Sequence, residues 1–334
     1  MISDMLMIPI GAVLVILLAM IIGLFFLGID RKIAARFQSR IGPPVIQPFR
    51  DLVKLLTKET IIPDNAVRWL FSLAPVAALT SALLLILYLP FLGVAPILSG
   101  YGDLILVLYL LMLPALSIAI GGLASGNNYA TVGSQRKLIM MLSYEFPLAV
   151  LVMAIVWRTS RMSLDLPGFS FATFAQHPIL TLVGPVGVVG VILLAITILI
   201  ALCAELIKGP FDNPEAETEL AGGILVDYSG RNLALFLLSD AVKLCAFITL
   251  IIGLLLPCSL GDMFSSFTYS GWIAIASNVA FFFVKFTVIA LLGLTFVRVA
   301  FTRLKITQVT RFFWLVSGGI SLIGLLLIFL DSMM

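Results

Sequence analysis

The sequence contains few charged residues and almost none of the side chains that bind metals. Asp, Glu, Lys and Arg together make up 11% of the 334 residues, whereas about 25% is usual in a soluble domain. The only histidine is His177, beside a proline, and we expect it on the surface. The three cysteines show no Cys-x-x-Cys spacing, so we expect no metal or iron–sulfur cluster in this chain. The net charge of +3 is too small to suggest nucleic-acid binding.

Apolar residues dominate instead, at 61% of the chain, with a mean hydropathy of +1.19. A bilayer core is crossed by about 20 apolar residues in a helix. The sequence therefore predicts an all-α polytopic membrane protein, a single membrane domain over residues 1–334. We expect Pro75, Pro114 and Pro147 to kink or end their helices. The eight candidate spans are 8–29, 70–92, 104–124, 138–157, 184–206, 233–256, 272–297 and 312–330.

Lysine and arginine are unevenly distributed between the two sides of this arrangement. With eight spans, sixteen of the 20 basic residues fall on one side. Because cytoplasmic loops are enriched in Lys and Arg, we expect the long polar loops in the cytoplasm and both termini outside. The first segment contains Asp4 and lacks a basic n-region, so we expect a retained span in the cytoplasmic membrane and not a signal peptide.

The first polar segment, residues 30–68, contains a predicted amphipathic helix. Gly42-Pro43-Pro44 interrupts regular structure. After Pro48 the apolar residues fall largely on one helical face, which predicts a short helix in the membrane interface. One interpretation is a lipid-surface anchor; the other is a lid over a cavity or a dock for a cytoplasmic partner. The apolar residues are Phe49, Leu52, Val53, Leu55 and Leu56.

Glu145 is an acidic residue about two helical turns into the fourth span, counted from Lys137, which we expect in the preceding loop (125–137). A buried carboxylate is costly unless it is protonated, paired or hydrated. It could be a structural partner of Lys243 or Lys285. It could also belong to an ion path, because ionisable groups inside membranes mark such paths by default.

Residues 207–232 form an acid-rich loop between two spans. Pro210 and Pro214 prevent a regular helix throughout, and a short helix is predicted to begin within 215–219. The loop could simply be solvated, or its crowded carboxylates could share protons near neutral pH. In the next span Asp240 and Lys243 share one helical face, either as a neutralised pair or as a proton relay. Lys285 could extend this buried charge chain to Glu145 or Asp240.

Three stretches taken in order resemble the subunit 1 family of respiratory complex I and its relatives in membrane-bound [NiFe] hydrogenases. They are DRKIAARFQSRIGPP with QPFRDLVKLLTKE, then GGLASGNNYATVGSQRKLIMMLSYE, and then AELIKGPFDNPEAETELAGGILVDYSG. The resemblance implies that the polar segments frame a chain of charges that couples redox chemistry to ion movement. The implied ion-coupling residues are Glu145, Glu205, Asp212, Glu215, Glu217, Glu219, Asp227, Asp240, Lys243 and Lys285.

The resemblance also implies that cytoplasmic residues dock a hydrophilic arm. These residues are Arg31, Lys32, Arg36, Arg40, Lys208 and Arg231.

The sequence of these motifs differs from the complex I sequence at the positions where that family receives quinone. Asp30 stands where complex I usually has glutamate, the segment before Gln47-Pro48-Phe49 is shorter, and no asparagine–arginine pair precedes Pro210. The motifs are similar to the hydrogenase branch, including its sulfane-sulfur-reductase relatives. We therefore expect partners that are hydrogenase large and small subunits holding the [NiFe] centre and iron–sulfur clusters, antiporter-like membrane subunits, and ferredoxin as an indirect electron donor. The alternatives are a quinone-site subunit and, more remotely, a stand-alone transporter, although no internal repeat supports the last.

Overall fold

The computed structural model describes residues 2–94, 96–98, 103–161, 171, 174, 178–258 and 272–333. All regular structure within these ranges is helical, which confirms the predicted all-α class. His177 lies outside the described residues.

Nine long helical elements make up the described fold. The first seven are α1 (Ile2–Phe37), α2 (Gln47–Thr57), α3 (Arg68–Leu87), α4 (Asp103–Ala124), α5 (Asn128–Ser160), α6 (Pro185–Glu205) and α7 (Gly230–Leu255). Element α8 comprises Trp272–Ala290, a π-helical turn at Leu291–Phe296, and Val297–Ala300. Element α9 comprises Ile306–Arg311, a second π-helical turn at Phe312–Ser317, and Gly318–Asp331.

Eight of these elements, all except α2, are long and apolar enough to cross a membrane, as predicted. The boundaries differ most from the prediction at two places. Element α1 continues past Asp30 to Phe37, and α5 begins at Asn128, inside the segment predicted to be a loop. The three internal prolines end none of the spans, because each lies within its helix.

Element α7 is the most buried of the spans and lies at the centre of the bundle. It packs against α1, α2, α3 and α8. Gly23 of α1 approaches the Ala241 carbonyl of α7 so closely that a Cβ would clash with it, which explains how the two helices pack backbone to backbone. A second row, α4–α5–α9–α6, continues from α3. Three charged residues of these helices, Lys137 of α5, Glu205 of α6 and Lys243 of α7, are fully buried.

The polar segments gather at one end of the bundle. The Ile61 amide donates a hydrogen bond to Ser229 Oγ (3.0 Å), and the Leu304 amide donates to the Pro210 carbonyl (3.2 Å). We call this end the loop face and the other end the opposite face. The assignment of the loop face to the cytoplasm remains a prediction from the Lys and Arg pattern. The loop face comprises residues 38–67, 125–127, 206–229 and 301–305.

The acid-rich loop is packed against helices. Gly133 of α5 lies so close to the loop that a Cβ there would be 2.8 Å from the Pro214 carbonyl oxygen. Tyr228 stacks on Phe71 of α3 with ring centroids 4.0 Å apart and donates its hydroxyl to the Phe71 carbonyl (3.2 Å). The predicted short helix is present at Glu217–Leu220. These contacts fix the shape of the loop, so its carboxylates occupy defined positions.

Candidate functional site

A cavity of about 220 Å³ lies between α4, α5 and α6, and we call it the inner cavity. Glu205, the last residue of α6, lines it and is fully buried. The Tyr144 hydroxyl of α5 donates a short hydrogen bond to Glu205 Oε2. The other oxygen, Glu205 Oε1, is buried and has no hydrogen-bond partner among the described residues. A buried carboxylate oxygen without a partner can accept a further hydrogen bond.

Glu145 lines the same cavity from the next position of α5. Its side chain is partly buried, and its Oε1 atom also lacks a hydrogen-bond partner in the described part of the chain. The remaining walls are largely apolar, which lowers the local dielectric and strengthens the mutual influence of charges there. Two incompletely bonded carboxyl groups therefore face one small cavity. The apolar walls include Ile105, Leu108, Leu111, Met112 and Leu148.

Lys137 belongs to this site, although the sequence pattern predicted it in a loop. Asn127 caps the start of α5 by accepting a hydrogen bond from the Tyr129 amide (3.0 Å). The helix therefore runs through Lys137 and carries it into the protein, where it is fully buried. Its ammonium group donates to the Glu205 backbone carbonyl (3.2 Å) and lies 5.6 Å from the centroid of the Tyr144 ring. The Asn cap and the seven-residue spacing from Lys137 to Tyr144 were the available sequence signals.

Asp240 and Lys243 form the predicted pair on α7. Lys243 Nζ lies 2.7 Å from Asp240 Oδ1, and the lysine side chain is fully buried while the aspartate is partly exposed. The charges of Lys137 and Lys243 each act on Glu205, Asp240 and Glu215. We therefore group Lys137, Glu205, Asp240 and Lys243 together and call them the charge cluster.

A second cavity, of about 390 Å³, opens at the loop face between α2, the acid-rich loop and α7, and we call it the loop cavity. Asp240 lines it, so the cavity lies beside the buried charge cluster. Glu215 also lines it, and burial raises the pKa of this carboxyl, an effect that the nearby Lys208 opposes. The charged lining residues are Arg31, Asp51, Lys54, Lys58, Lys208, Glu215 and Asp240.

The other predicted acids hold the loop in place or face outward. Asp212 pairs with Arg303 (2.8 Å). Glu219 pairs with Arg136 (2.6 Å), and the hydrogen bond from that guanidinium lowers the pKa of Glu219. Asp227 Oδ1 accepts a hydrogen bond from Asn127 Nδ2 (3.1 Å). Glu217 is exposed. These residues lie at the loop face and not in the inner cavity.

Lys285 lies away from this cluster. Its ammonium group donates to the backbone carbonyls of Leu256 and Cys258, both at 2.9 Å. Leu256 follows the end of α7, 13 positions beyond Lys243, which corresponds to about 20 Å along a helix. Lys285 therefore lies far from Asp240 along α7, and the expected link from Lys285 to Glu145 stays a prediction.

The predicted docking residues fall into two groups. Arg40 is exposed on the loop face, and Lys32, Arg36 and Arg231 are exposed on the adjoining ends of α1 and α7. Arg31 and Lys208 instead line the loop cavity, and Arg31 pairs there with Asp51 of α2 (3.1 Å).

Asp30 was not among the predicted site residues, although it is buried and bonded. It pairs with Arg298 (2.8 Å) and accepts a hydrogen bond from Thr295 Oγ1 (2.8 Å). Its position directly before Arg31-Lys32 was the only sequence signal. Among the described residues, no group of three His, Cys, Asp or Glu side chains is arranged to hold a metal ion.

Comparison with known proteins shows likeness over nearly the whole chain. Residues 10–329 match the model of a family described as NADH dehydrogenase. A subunit of the NADH-quinone oxidoreductase of Brevibacillus brevis is 31% identical over 328 residues, which cover 94% of this chain and 90% of that protein. The corresponding subunit from Geobacillus kaustophilus is 32% identical over 325 residues, with 93% and 90% covered.

A solved structure is similar as well. A chain in the membrane-bound sulfane sulfur reductase, an archaeal respiratory membrane complex, is 29% identical with a TM-score of 0.81. The likeness covers 96% of this chain and 99% of that chain. Both cavities and the charge cluster lie within the matched residues.

Proposed function

Because the chain belongs to the NADH dehydrogenase family, we propose that this membrane subunit of a complex-I-like oxidoreductase couples electron transfer in partner subunits to the translocation of protons or sodium ions. The observation that supports the coupling most directly is the inner cavity. There, Glu205 and Glu145 each present a buried oxygen without a described hydrogen-bond partner, beside the buried cation Lys137. Such groups respond to small changes in nearby charge.

The arrangement supports a route for this response. A partner arm on the loop face changes charge or position during electron transfer. The loop cavity places Asp240 and Glu215 next to that face. Lys243 and Lys137 then link these acids electrostatically to Glu205. The inner cavity passes the change to neighbouring antiporter-like membrane subunits, with this chain contributing side-chain charges and no redox centre.

We infer that the complex belongs to the branch that contains membrane-bound [NiFe] hydrogenases, in which large and small subunits would hold the metal centres and receive electrons from ferredoxin. A sulfane sulfur reductase is the second candidate, and the structural likeness at 29% identity favours it specifically. A quinone-linked enzyme is the third, supported by the names of the curated relatives. Relatives that are subunits of complexes weigh against a stand-alone transporter.

Co-purification in mild detergent, with metal analysis, distinguishes these candidates. Nickel and iron with hydrogenase-like subunits would establish the hydrogenase. Iron without nickel would leave the sulfur reductase and the quinone-linked enzyme, which assays with polysulfide and with quinone then separate. A chain that purifies alone in stable form would overturn the proposal.

The coupling itself is tested by Glu145→Gln in the assembled complex. The substitution keeps the shape of the side chain but removes its ability to ionise, so we expect assembly and electron transfer to persist while ion translocation falls at least about tenfold. Ion uptake into proteoliposomes, measured per electron transferred, gives the answer. Glu217→Gln makes the same change at an exposed acid of the loop face, outside the inner cavity, and is the matched control. Undiminished translocation by the Glu145 variant would remove this residue from the path.

A further inference from the structure

We propose that the loop cavity binds the phosphate headgroup of an anionic phospholipid through Lys54, Lys58 and Lys208. This inference is independent of the proposed function, because it rests on the charges and shape of the cavity alone. Basic pockets between transmembrane helices on the cytoplasmic side suit anionic lipid headgroups.

The cavity contains more positive charge than its own acids neutralise. Asp51 is occupied by Arg31 (3.1 Å) and by the Gln47 side-chain amide (2.8 Å). Asp240 is occupied by Lys243 (2.7 Å). The third acid, Glu215, has a pKa raised by burial, so its neutral form is favoured over that of an ordinary glutamate.

Three lysines are left without an ion pair to any residue in the described ranges: Lys54, Lys58 and Lys208. Lys54 lines the cavity from the last turn of α2, and Lys58 lines it from the residue directly after the helix. Lys208 lines the cavity from the acid-rich loop. Ammonium groups that converge on one cavity from two elements match a group with several anionic oxygens, such as a phosphodiester.

The remaining surfaces suit the apolar part of a lipid. Leu55, Leu233 and Leu237 contribute apolar wall to the cavity. On the outer side of α2, Val53 is 61% exposed and Leu56 is 47% exposed. These residues lie beside the basic ones, so acyl chains could follow them while the headgroup remains at the lysines. An uncharged quinone would leave the three lysines uncompensated.

The test uses the intact complex in nanodiscs containing phosphatidylglycerol or phosphatidylcholine, each with the same photoreactive acyl chain. Cross-linked peptides are mapped by mass spectrometry. We expect phosphatidylglycerol to label the peptides of α2 and the start of α7 at least about tenfold more than phosphatidylcholine, with the difference shrinking at high salt. Equal labelling by the two lipids would overturn the proposal. So would absent labelling by phosphatidylglycerol, which would mean that a protein partner covers the cavity.

Variants locate the site. Lys54→Gln with Lys58→Gln should weaken labelling by phosphatidylglycerol roughly 30-fold, from about 1 kcal/mol for each lysine. The matched control is Lys305→Gln with Arg311→Gln, which removes two exposed cations at the start of α9, away from the cavity. We expect that control to change labelling less than about threefold. An equal loss in both pairs would refute a specific site. If the glutamine pair does not assemble, Lys54→Arg with Lys58→Arg decides, because it must retain the lipid preference.

Discussion

A buried carboxylate lies at each end of α6, and the two differ in how fully their oxygens are hydrogen-bonded. At the first end, the Asp331 carboxylate of α9 accepts hydrogen bonds from the Gly184 amide (2.8 Å) and the Gly187 amide (3.2 Å) and lies 3.5 Å from the Arg158 guanidinium. At the last end, Glu205 accepts one bond from Tyr144 and keeps an oxygen with no described partner. The first carboxylate is saturated, and the second is not.

The helix dipole increases the contrast between these ends. A negative charge is stabilised at a helix N-terminus and destabilised at a C-terminus, by about 0.3–1 kcal/mol and up to about 2 kcal/mol when partly buried. Asp331 is therefore favoured where it lies, whereas Glu205 occupies the unfavourable end. Lys137 compensates there by donating to the Glu205 carbonyl. The comparison teaches that a carboxylate with a complete set of partners holds two helices together, whereas one with an incomplete set can still accept a further hydrogen bond.

The largest effect should come from breaking the saturated end. Asp331→Ala leaves Arg158 without its ion pair and two amides without their acceptor. We expect the free energy of unfolding to fall by about 3–5 kcal/mol. The measurement is the temperature at which half of the purified complex remains intact. Glu219→Ala, which removes an exposed pair with Arg136, is the control and should lower this temperature much less. If Asp331→Ala lowered this temperature no more than the control does, the distinction between the two ends would be wrong.

Replacing Lys137, beside Glu205, should affect stability less than Asp331→Ala does but should affect coupling more. Lys137→Met removes a buried charge that is itself costly, so we expect stability to change by less than about 2 kcal/mol. Without this cation the charges around Glu205 are no longer balanced, and ion translocation per electron should fall at least about tenfold. Proteoliposome assays should show partial recovery in Lys137→Arg. Coupling that survives Lys137→Met would limit this lysine to packing.

The smallest effect should be the pH dependence contributed by Glu215, at the edge of the cluster. Burial raises the pKa of Glu215 above its ordinary value of 4.5, so the folded protein binds this proton more tightly than the unfolded chain does. Its stabilising contribution is complete below the ordinary pKa and is lost as the pH rises through the raised, folded-state pKa. Melting experiments at successive pH values should show a decline that Glu215→Gln lacks. Parallel curves for the two proteins would contradict this assignment.

Much of the fold was predictable, because the hydropathy of eight spans and the pairing of Asp240 with Lys243 are local properties of the sequence. The start of α5 was not, because its first turns contain polar residues that read as a loop until the Asn127 cap is seen to begin a helix. The contact of Lys137 with Glu205 joins positions 68 residues apart, and spacing along one helix cannot reveal it. The position of Lys285 was not predictable for the same reason, since the carbonyls that it meets belong to another helix and its extension.

The π-helical turn of α8 has a consequence for the chain as a whole. Such a turn accommodates one residue more than an α-helix would, and here the Gly293 carbonyl accepts a hydrogen bond from the Cys203 thiol (2.9 Å). Removing one residue would rotate everything after the turn by about 100° around the helix axis. Arg298 would then point away from Asp30. The direction in which the side chains of the second half of α8 point is thus set by the number of residues in the turn. An insertion or deletion there would alter the protein more than most substitutions would.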